Sequence, residues 1–583
     1  MSNHVAKIFY KIWGGFAIPH RPFRFRWIDF FLILGIAGLF YGLVSVKKEW
    51  TGVWSPVVEI DLNPWALPKY TFFSMVRGIL AYGLSLVFTL MYGYWAAKDK
   101  VAEKVLVPLL DVLQSIPVLG FMPGLVVSLV GIFHQSNIGL ELAAIIMIFT
   151  GQVWNMTFSF YHSICNVPAD MRQVAGTFRF NWWQSFKWIE VPYAAIGLVW
   201  NSMMSMSGGW FFLMVSEAFV LGHHDFRLPG VGSYMSVAVN HGDIPAMGYA
   251  VAAMITMIVF LDLFLWRPVV AWSQKFKIED TRSQVATSSF FLNWLRKAGL
   301  LWYISSIFSF FINFVLNALF SKKKTVGEYP TKIHFVLRIV SWMIYAAFVG
   351  VFGFGCWKLY HMLQSISLSG WRLIIWYGCL TLSRVLSAVA IGTLWTLPAG
   401  LAIGLSPKLS RIFQPVIQVV ASFPAPMLFV LIIIFLHKVG VGLAYGSVIL
   451  MLLGTQWYIL FNVIAGTLSI PADLRETSKL FHMSRWQRIK NLYIPSVFPF
   501  LVTGWVTAAG GAWNASIVAE YTMFRGKTLS TQGLGAMISQ SAESADFALL
   551  TGAVLTMSAF VVIFNRVVWR TLYRIAENKY SMN

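Results

Sequence analysis

The chain has 583 residues, of which 58% are hydrophobic and 11% charged, with a net charge of +21 and a mean hydropathy of +0.68. That composition excludes a soluble globular protein and leaves no stretch for a large water-exposed domain, so the chain reads as an all-α polytopic membrane protein. The positive charge could suit a nucleic acid, but in a chain this apolar its meaning lies in where the basic residues fall.

The first segment, residues 1–27, carries Lys7, Lys11, Arg21, Arg24 and Arg26 without an acid, whereas the loop after the first span balances Lys47, Lys48 and Lys69 against Glu49, Glu59 and Asp61. By the positive-inside rule the N-terminus is cytoplasmic. A long basic region, a full-length span and no small-residue cleavage site argue against a removable signal. Apolar runs long enough to cross ~30 Å of hydrocarbon follow at about 28–46, 72–97, 118–133, 139–165, 193–222 and 245–266, and again at about 335–356, 377–404, 425–440, 443–467, 496–522 and 547–569. Twelve spans place both termini inside, in agreement with Arg566, Arg570, Arg574 and Lys579 after the last one.

The two sets are copies. From Gly151 to about Arg267 one offset of 303 holds, pairing Trp154 with Trp457, Pro192 with Pro495, Glu217 with Glu520, and Gly230 and Gly232 with Gly533 and Gly535. Upstream it becomes 307, pairing Arg77 with Arg384 and Pro117 with Pro424, which places an indel near 131–143. The expected organisation is a cytoplasmic segment 1–27, a six-helix unit 28–270, a cytoplasmic linker 271–334, a second six-helix unit 335–570 and a cytoplasmic tail 571–583. Both copies start and end on one side, so they are parallel repeats about an axis along the membrane normal, with the path at their interface. Within the linker, residues 300–320 are long enough to span, but basic residues flank both ends: Arg296 and Lys297 before, Lys322, Lys323 and Lys324 after. With Ser305, Ser309, Asn313 and Asn317 on one face, an interfacial amphipathic helix is expected. Cys165, Cys356 and Cys379 lack metal or disulfide spacing and read as small buried hydrophobes.

One polar segment recurs in this apolar chain: VPADMRQVAGTFRFNWWQSFKWIEVP at 167–192 and IPADLRETSKLFHMSRWQRIKNLYIP at 470–495. Both fall between the fourth and fifth spans of their copy, on the cytoplasmic side. Proline followed by aspartate suits a helix start, and each segment reads as helix, turn, helix. In the second, Leu474, Leu480, Phe481, Trp486, Ile489 and Leu492 can pack, while Arg475, Glu476, Lys479, Arg485, Arg488 and Lys490 face water. Such a unit is suited to dock in a groove of a soluble partner.

The pattern resembles the EAA loop of ABC-importer permeases. Anchored on the last proline, the second copy gives Glu476-Thr477-Ser478, His482 and Ile494-Pro495, and the first gives Gln173-Val174-Ala175, Arg179 and Val191-Pro192. His482 and Arg179 stand where the family has a glycine that would ease the turn, so a different turn is expected. GGAWNASIVAEYTM (510–523) with GLGAMI (533–538), and TLSR (381–384) with PVIQVVASFPAPMLFVL (415–431), are similar to the branch serving nitrate, sulfonates, taurine, bicarbonate and related small anions. The resemblance implies two fused type I permease units, partnered by two cytoplasmic ATPase subunits and an extracytoplasmic solute-binding protein in a bacterial inner membrane. ATP and Mg would be bound by those partners: Gly526-Lys527-Thr528 is no P-loop, because Tyr521 stands where its first glycine is needed. The coupling residues it implies are Asp170, Arg172, Gln173, Ala175, Arg179, Pro192, Asp473, Arg475, Glu476, His482, Arg485 and Pro495.

Other residues are weighed on their chemistry. Polar side chains on inner spans, namely Gln152, Trp154, Asn155, Ser207, Trp210, Gln456, Trp457, Trp513, Asn514 and Ser516, can offer hydrogen bonds to an anion without trapping it, or can join helices. Gly208, Gly209, Gly510 and Gly511 suit close packing. Glu217 and Glu520 are expected to hold a local turn or to pair with Arg77 and Arg384, a structural or gating role. His223, His224, Asp225, His241 and Asp243 share an outer loop without recurrent ligand spacing, so a solvated surface and no metal site is expected. No catalytic group is expected. The alternative, a secondary transporter with duplicated halves, would need intramembrane carboxylates, and Asp262, matched by Asn565, is nearly the sole mid-span one.

Overall fold

A computed structural model of the chain describes residues 27–51, 59–134, 136–221, 224–276, 290–297, 343, 350, 353–524 and 527–580. The first half contains α1 (Trp27–Trp50), α2 (Leu67–Lys98), α3 (Lys100–Ser115), α4 (Val118–Ile132), α5 (Ile138–Cys165), the short α6 (Ala169–Thr177) and α7 (Trp182–Ser185), and α8 (Val191–Glu217). A hairpin of β1 (Ala218–Leu221) and β2 (His224–Arg227) follows, then α9 (Val231–His241), α10 (Ile244–Leu261) and α11 (Arg267–Ser273), with α12 (Phe290–Lys297) beyond. The second half repeats the order: α13 (Leu368–Leu405), α14 (Pro407–Ser422), α15 (Pro426–Lys438), α16 (Leu443–Leu468), α17 (Ala472–Leu480), α18 (Arg485–Arg488) and α19 (Ile494–Ala519). Its hairpin is β3 (Tyr521–Phe524) and β4 (Lys527–Ser530), followed by α20 (Leu534–Glu543), α21 (Phe547–Phe564) and α22 (Arg570–Tyr580).

The repeat extends to local chemistry. Asp243 accepts from the Ala246 N–H to start α10, and Asp546 accepts from the Leu549 N–H to start α21. Asn181 with Gln184, and Ser484 with Gln487, form reciprocal capping boxes at α7 and α18. One-turn π segments stand at Phe186–Glu190 and Ile489–Tyr493, and at Asp262–Trp266 and Asn565–Trp569. The core of each half is its fourth long helix. α5 packs between α2 and α8 through Met147, Ile148, Val153, Met156 and Phe160, and α16 packs between α13 and α19 through Leu450, Met451, Ile459 and Val463. Apolar side chains on the outer faces stay exposed, as lipid-facing surfaces do, so van der Waals packing rather than removal from water holds such helices together.

Several expectations are corrected. The third spans, read at 118–133 and 425–440, are α4 and α15, of only 15 and 13 residues. At ~1.5 Å per residue neither covers ~30 Å alone. Each is the second limb of a broken helix, joined to α3 at a bend of 95° and to α14 at 88°. The fifth spans end at Glu217 and Ala519 rather than 222 and 522, where the chain turns into the hairpins. Beyond the last span the helix Arg570–Tyr580 continues into the segment read as a tail, 571–583. Cys165, Cys356 and Cys379 are exposed on the surface of the chain instead of buried. By length and composition eight helices can cross a membrane, or ten with each bent pair taken as one span, among the described residues. α8, with 27 residues, is as long as its counterpart α19. The expected helix at 300–320, the segment 1–26 and most of the span 335–356 lie outside the described residues.

Candidate functional site

The halves meet through their broken helices. α3 and α4 pack on α19 and α21 of the other half, and reciprocally α14 and α15 pack on α8 and α10. A break in a helix frees backbone groups, which in a membrane must find partners. At the first break the Val118 N–H donates to Asn514 Oδ1 on α19 at 2.8 Å. At the second, Ser422 and Ser207 on α8 share a 2.6 Å hydrogen bond. The first break is thus closed by the other half, and the second is tied to it through side chains. The reciprocity continues at the hairpin end, where β1 touches α20 and β3 touches α9.

Between the halves lies a cavity of about 840 Å³, walled by Trp154, Phe158, Phe212, Trp457, Tyr458 and Trp513 among others. It reaches from buried Phe212 and Trp513 to exposed Asp111, Arg566 and Arg570. α21 runs away from the hairpin end, so Arg566 and Arg570, which follow it, put the open mouth at the end that carries the polar segments.

Of the ten path candidates, Trp154, Asn155, Ser207, Trp457, Trp513 and Asn514 line this cavity. Gln152, Trp210, Gln456 and Ser516 do not: all four are buried in helix contacts. Gln456 Oε1 accepts from the Trp395 indole at 3.0 Å, and Ser516 donates to the Trp513 carbonyl at 2.7 Å. Gln152 is buried with neither amide atom bonded within the described chain. Asp111, Gln114 and Gln418 line the cavity and were not singled out from sequence, and Arg566 and Arg570, read only as cytoplasmic charges after the last span, line it too. The signal available was the amphipathic pattern of α3 and α14, which prolines at 108 and 415 disguise as loop.

At the hairpin end each half holds a buried charge cluster. Arg77, 1% exposed, makes a two-pronged contact with Glu141 at 2.6 and 2.7 Å and donates from Nη1 to Glu217 and the Pro229 carbonyl, each at 2.8 Å. Glu217 also accepts from Ser74 and, at 2.7 Å, from the Gly232 N–H that opens α9. In the second half Arg384 reaches Glu520 at 2.7 Å, and Glu520 accepts from Thr381 and the Gly535 N–H. The carboxylates therefore fasten α9 and α20 to the spans behind them. A Cβ at Gly230 or Gly533 would collide with these carboxyl groups, and one at Gly232 or Gly535 with the Met214 or Ser516 carbonyl, which explains the recurring glycine pairs. Glu141 was not foreseen; at the offset of 303 its counterpart is Ala444. Asp243, read in the outer loop, is the cap of α10, and His223 lies outside the described residues. Asp262 accepts from Arg267 Nε at 2.9 Å.

Opposite, the polar segments fold as helix, turn and helix, and each residue in place of the family glycine is left-handed: Arg179 at φ 50 and His482 at φ 51. The Phe180 N–H bonds Ala175 O and the Arg179 N–H bonds Gly176 O, with Met483 and His482 repeating both. This is the helix stop that a glycine would ease, and here a side chain in the left-handed region bears the strain. Arg475, read as facing water, donates to the Thr467 carbonyl at 2.5 Å, and Arg172 donates to the Cys165 carbonyl at 2.9 Å. Both tie the segment to the end of the preceding span. Leu480, Phe481 and Trp486 are 77%, 76% and 69% exposed among the described residues. Asp170, Gln173, Asp473 and Glu476 are exposed as well, and Ala175 is half-buried.

Comparison with known proteins matches residues 89–267 and 396–581, together more than half of the chain, to one family model described as binding-protein-dependent transport system inner membrane component. Among relatives, the bicarbonate transport system permease protein CmpB of Synechococcus elongatus is 25% identical over 150 residues, covering 26% of this chain and 52% of that one. The taurine transport system permease protein TauC of Escherichia coli is 26% identical over 184 residues, 31% of this chain and 63% of that one. The nitrate import permease protein NrtB of Synechococcus elongatus is 28% identical over 139 residues, 23% of this chain and 48% of that one. The chain spans about half the length of the relatives it matches. Two matched regions, in the two copies that the offset of 303 relates, give the conclusion: this chain belongs to the family of binding-protein-dependent transport system inner membrane components and carries its unit twice.

Proposed function

We propose that this chain is the complete transmembrane permease of an ATP-driven importer, in which two fused units enclose one path for a small anionic solute such as nitrate, a sulfonate, taurine or bicarbonate. Each of its units, 28–270 and 335–570, offers a polar segment to one of two cytoplasmic ATPase subunits, which bind the ATP and Mg. A solute-binding protein delivers from the hairpin side. Both termini are cytoplasmic in a bacterial inner membrane, and the residues named in the polar segments act in coupling.

The observation that carries this reading is the exposed apolar surface on segments held rigidly to the spans. Leu480, Phe481 and Trp486 in one, and Phe178 and Trp182 in the other, are exposed at 77%, 76%, 69%, 58% and 49%. A soluble partner with an apolar groove would cover them. Closure of the ATPases then draws the segments together, and the tie of Arg172 and Arg475 to the ends of α5 and α16 passes the motion to the cavity walls. The net positive charge of the cavity lining favours an anion. The secondary-transporter reading needs a free carboxylate along the path; Asp262 is engaged by Arg267, and Asp111, the carboxylate of the cavity lining, accepts from Gln114.

The test is solute uptake by cells expressing the Phe481→Glu, Trp486→Glu double variant with its ATPase partners. Inserted protein at normal level with uptake reduced at least ~100-fold is expected, since two charges would be buried at the contact. Uptake at the unsubstituted rate would overturn the coupling role.

A further inference from the structure

The cavity mouth draws its positive charge from one half alone. The charged residues of the lining are Asp111, Arg566 and Arg570. Asp111 accepts from Gln114 Nε2 at 2.8 Å. At the offset of 303, Arg570 corresponds to Arg267, Asn565 to Asp262, and Arg566 to Leu263. In the first half Arg267 is neutralised by Asp262 at 2.9 Å and stays out of the cavity lining. In the second half the acid is replaced by an amide, and Asn565 lines the cavity with both arginines. Among the described residues no carboxylate pairs with Arg566 or Arg570, and both are exposed at the mouth. All three residues sit on or beside the π segment Asn565–Trp569, a helix irregularity often found at functional sites.

We propose that Arg566, Arg570 and Asn565 hold one oxyanion group, such as a carboxylate, sulfonate or nitrate, at the mouth of the cavity. Guanidinium groups present planar forks of donors that match an oxyanion, and the amide adds a further donor. The second half is thus the anion-binding half, and the first has its equivalent arginine cancelled. Only the occupant's identity as the transported solute rests on the function proposed above. An anionic lipid headgroup carries the same chemistry.

The full chain in phosphatidylcholine nanodiscs is treated with phenylglyoxal, which adds to free guanidinium groups, and modification at Arg566, Arg570 and Arg267 is followed by peptide mass spectrometry. Ethanesulfonate or nitrate is expected to slow modification of Arg566 and Arg570 saturably, by about fivefold or more, while chloride at equal ionic strength does not and Arg267 is unaffected. Asn565→Asp restores the acid that cancels Arg267 and should weaken the protecting anion about tenfold without changing thermal stability. With phosphatidylglycerol in the disc, protection that ethanesulfonate displaces supports a solute site. Protection that it does not displace supports the oxyanion site with a headgroup as occupant and overturns the solute. No protection by any of these anions, equal protection at Arg267, or an unchanged Asn565→Asp variant would overturn the site. Protection should persist in the Phe481→Glu, Trp486→Glu variant, so failure of coupling and failure of the anion site are told apart.

Discussion

The two halves use one device to fasten their hairpin-end helices and charge it differently. In the first, a single guanidinium serves two carboxylates, and Arg77, Glu141 and Glu217 are all essentially without solvent access. In the second, Arg384 serves Glu520 alone, also contacts Thr531, and its side chain is 11% exposed. The difference repeats at the end away from the hairpins: Asp262 against Asn565, and an aromatic polar segment against a basic one. Packing positions and the Arg77–Arg384 and Glu217–Glu520 pairs hold the repeat, whereas Glu141, Asp262 and Arg566 stand opposite Ala444, Asn565 and Leu263. Fusion in one chain fixes which half meets which, so each can take a separate electrostatic task.

Removing the arginines is the strongest way to break this comparison. Arg77→Met leaves two buried carboxylates without a counter-charge, and a loss of at least about 3–5 kcal/mol is expected, read as lower thermal stability or loss of folded protein in detergent. Arg384→Met strands one carboxylate that Thr381 and the backbone N–H groups of Gly535 and Ala536 still serve. Its loss should be clearly smaller, and equal losses in the two variants would mean that Glu141 adds no burden to the first cluster. At the polar segments the expected change is smaller and of opposite sign. Arg179→Gly and His482→Gly relieve a left-handed side chain, for a gain of up to about 1 kcal/mol partly offset by the freedom glycine adds to the unfolded chain. Slower hydrogen exchange at the Phe180 and Met483 amides would register it, and faster exchange would show that the side chains themselves hold the turn.

Much of this architecture is legible in the sequence because a membrane asks for long apolar helices. The fourth span, read at 139–165, is α5 at Ile138–Cys165, and the constant offset foretells matching caps and π segments. The broken third spans were only half visible. α3 and α14 carry Lys100, Lys104, Lys408 and Arg411 with internal prolines, so their one apolar face is lost to any measure of mean hydropathy. That is why Asp111, Gln114 and Gln418 escaped notice. Arg77 and Glu217 were identified as charges out of place, but Glu141 sits in the first turn of α5 and reads as an ordinary acid at a helix start. Asn514 and Ser207 were identified as polar residues on inner spans. That they reach the other half's helix break depends on a tertiary contact which no local pattern encodes.

With its two reciprocal halves, one copy of the chain should enclose a whole path. Native mass spectrometry of the chain purified with the proposed ATPase subunits is the direct test. One copy of this 65.8 kDa chain with two ATPase subunits is the expected assembly. Two copies of the chain in every intact complex would contradict it.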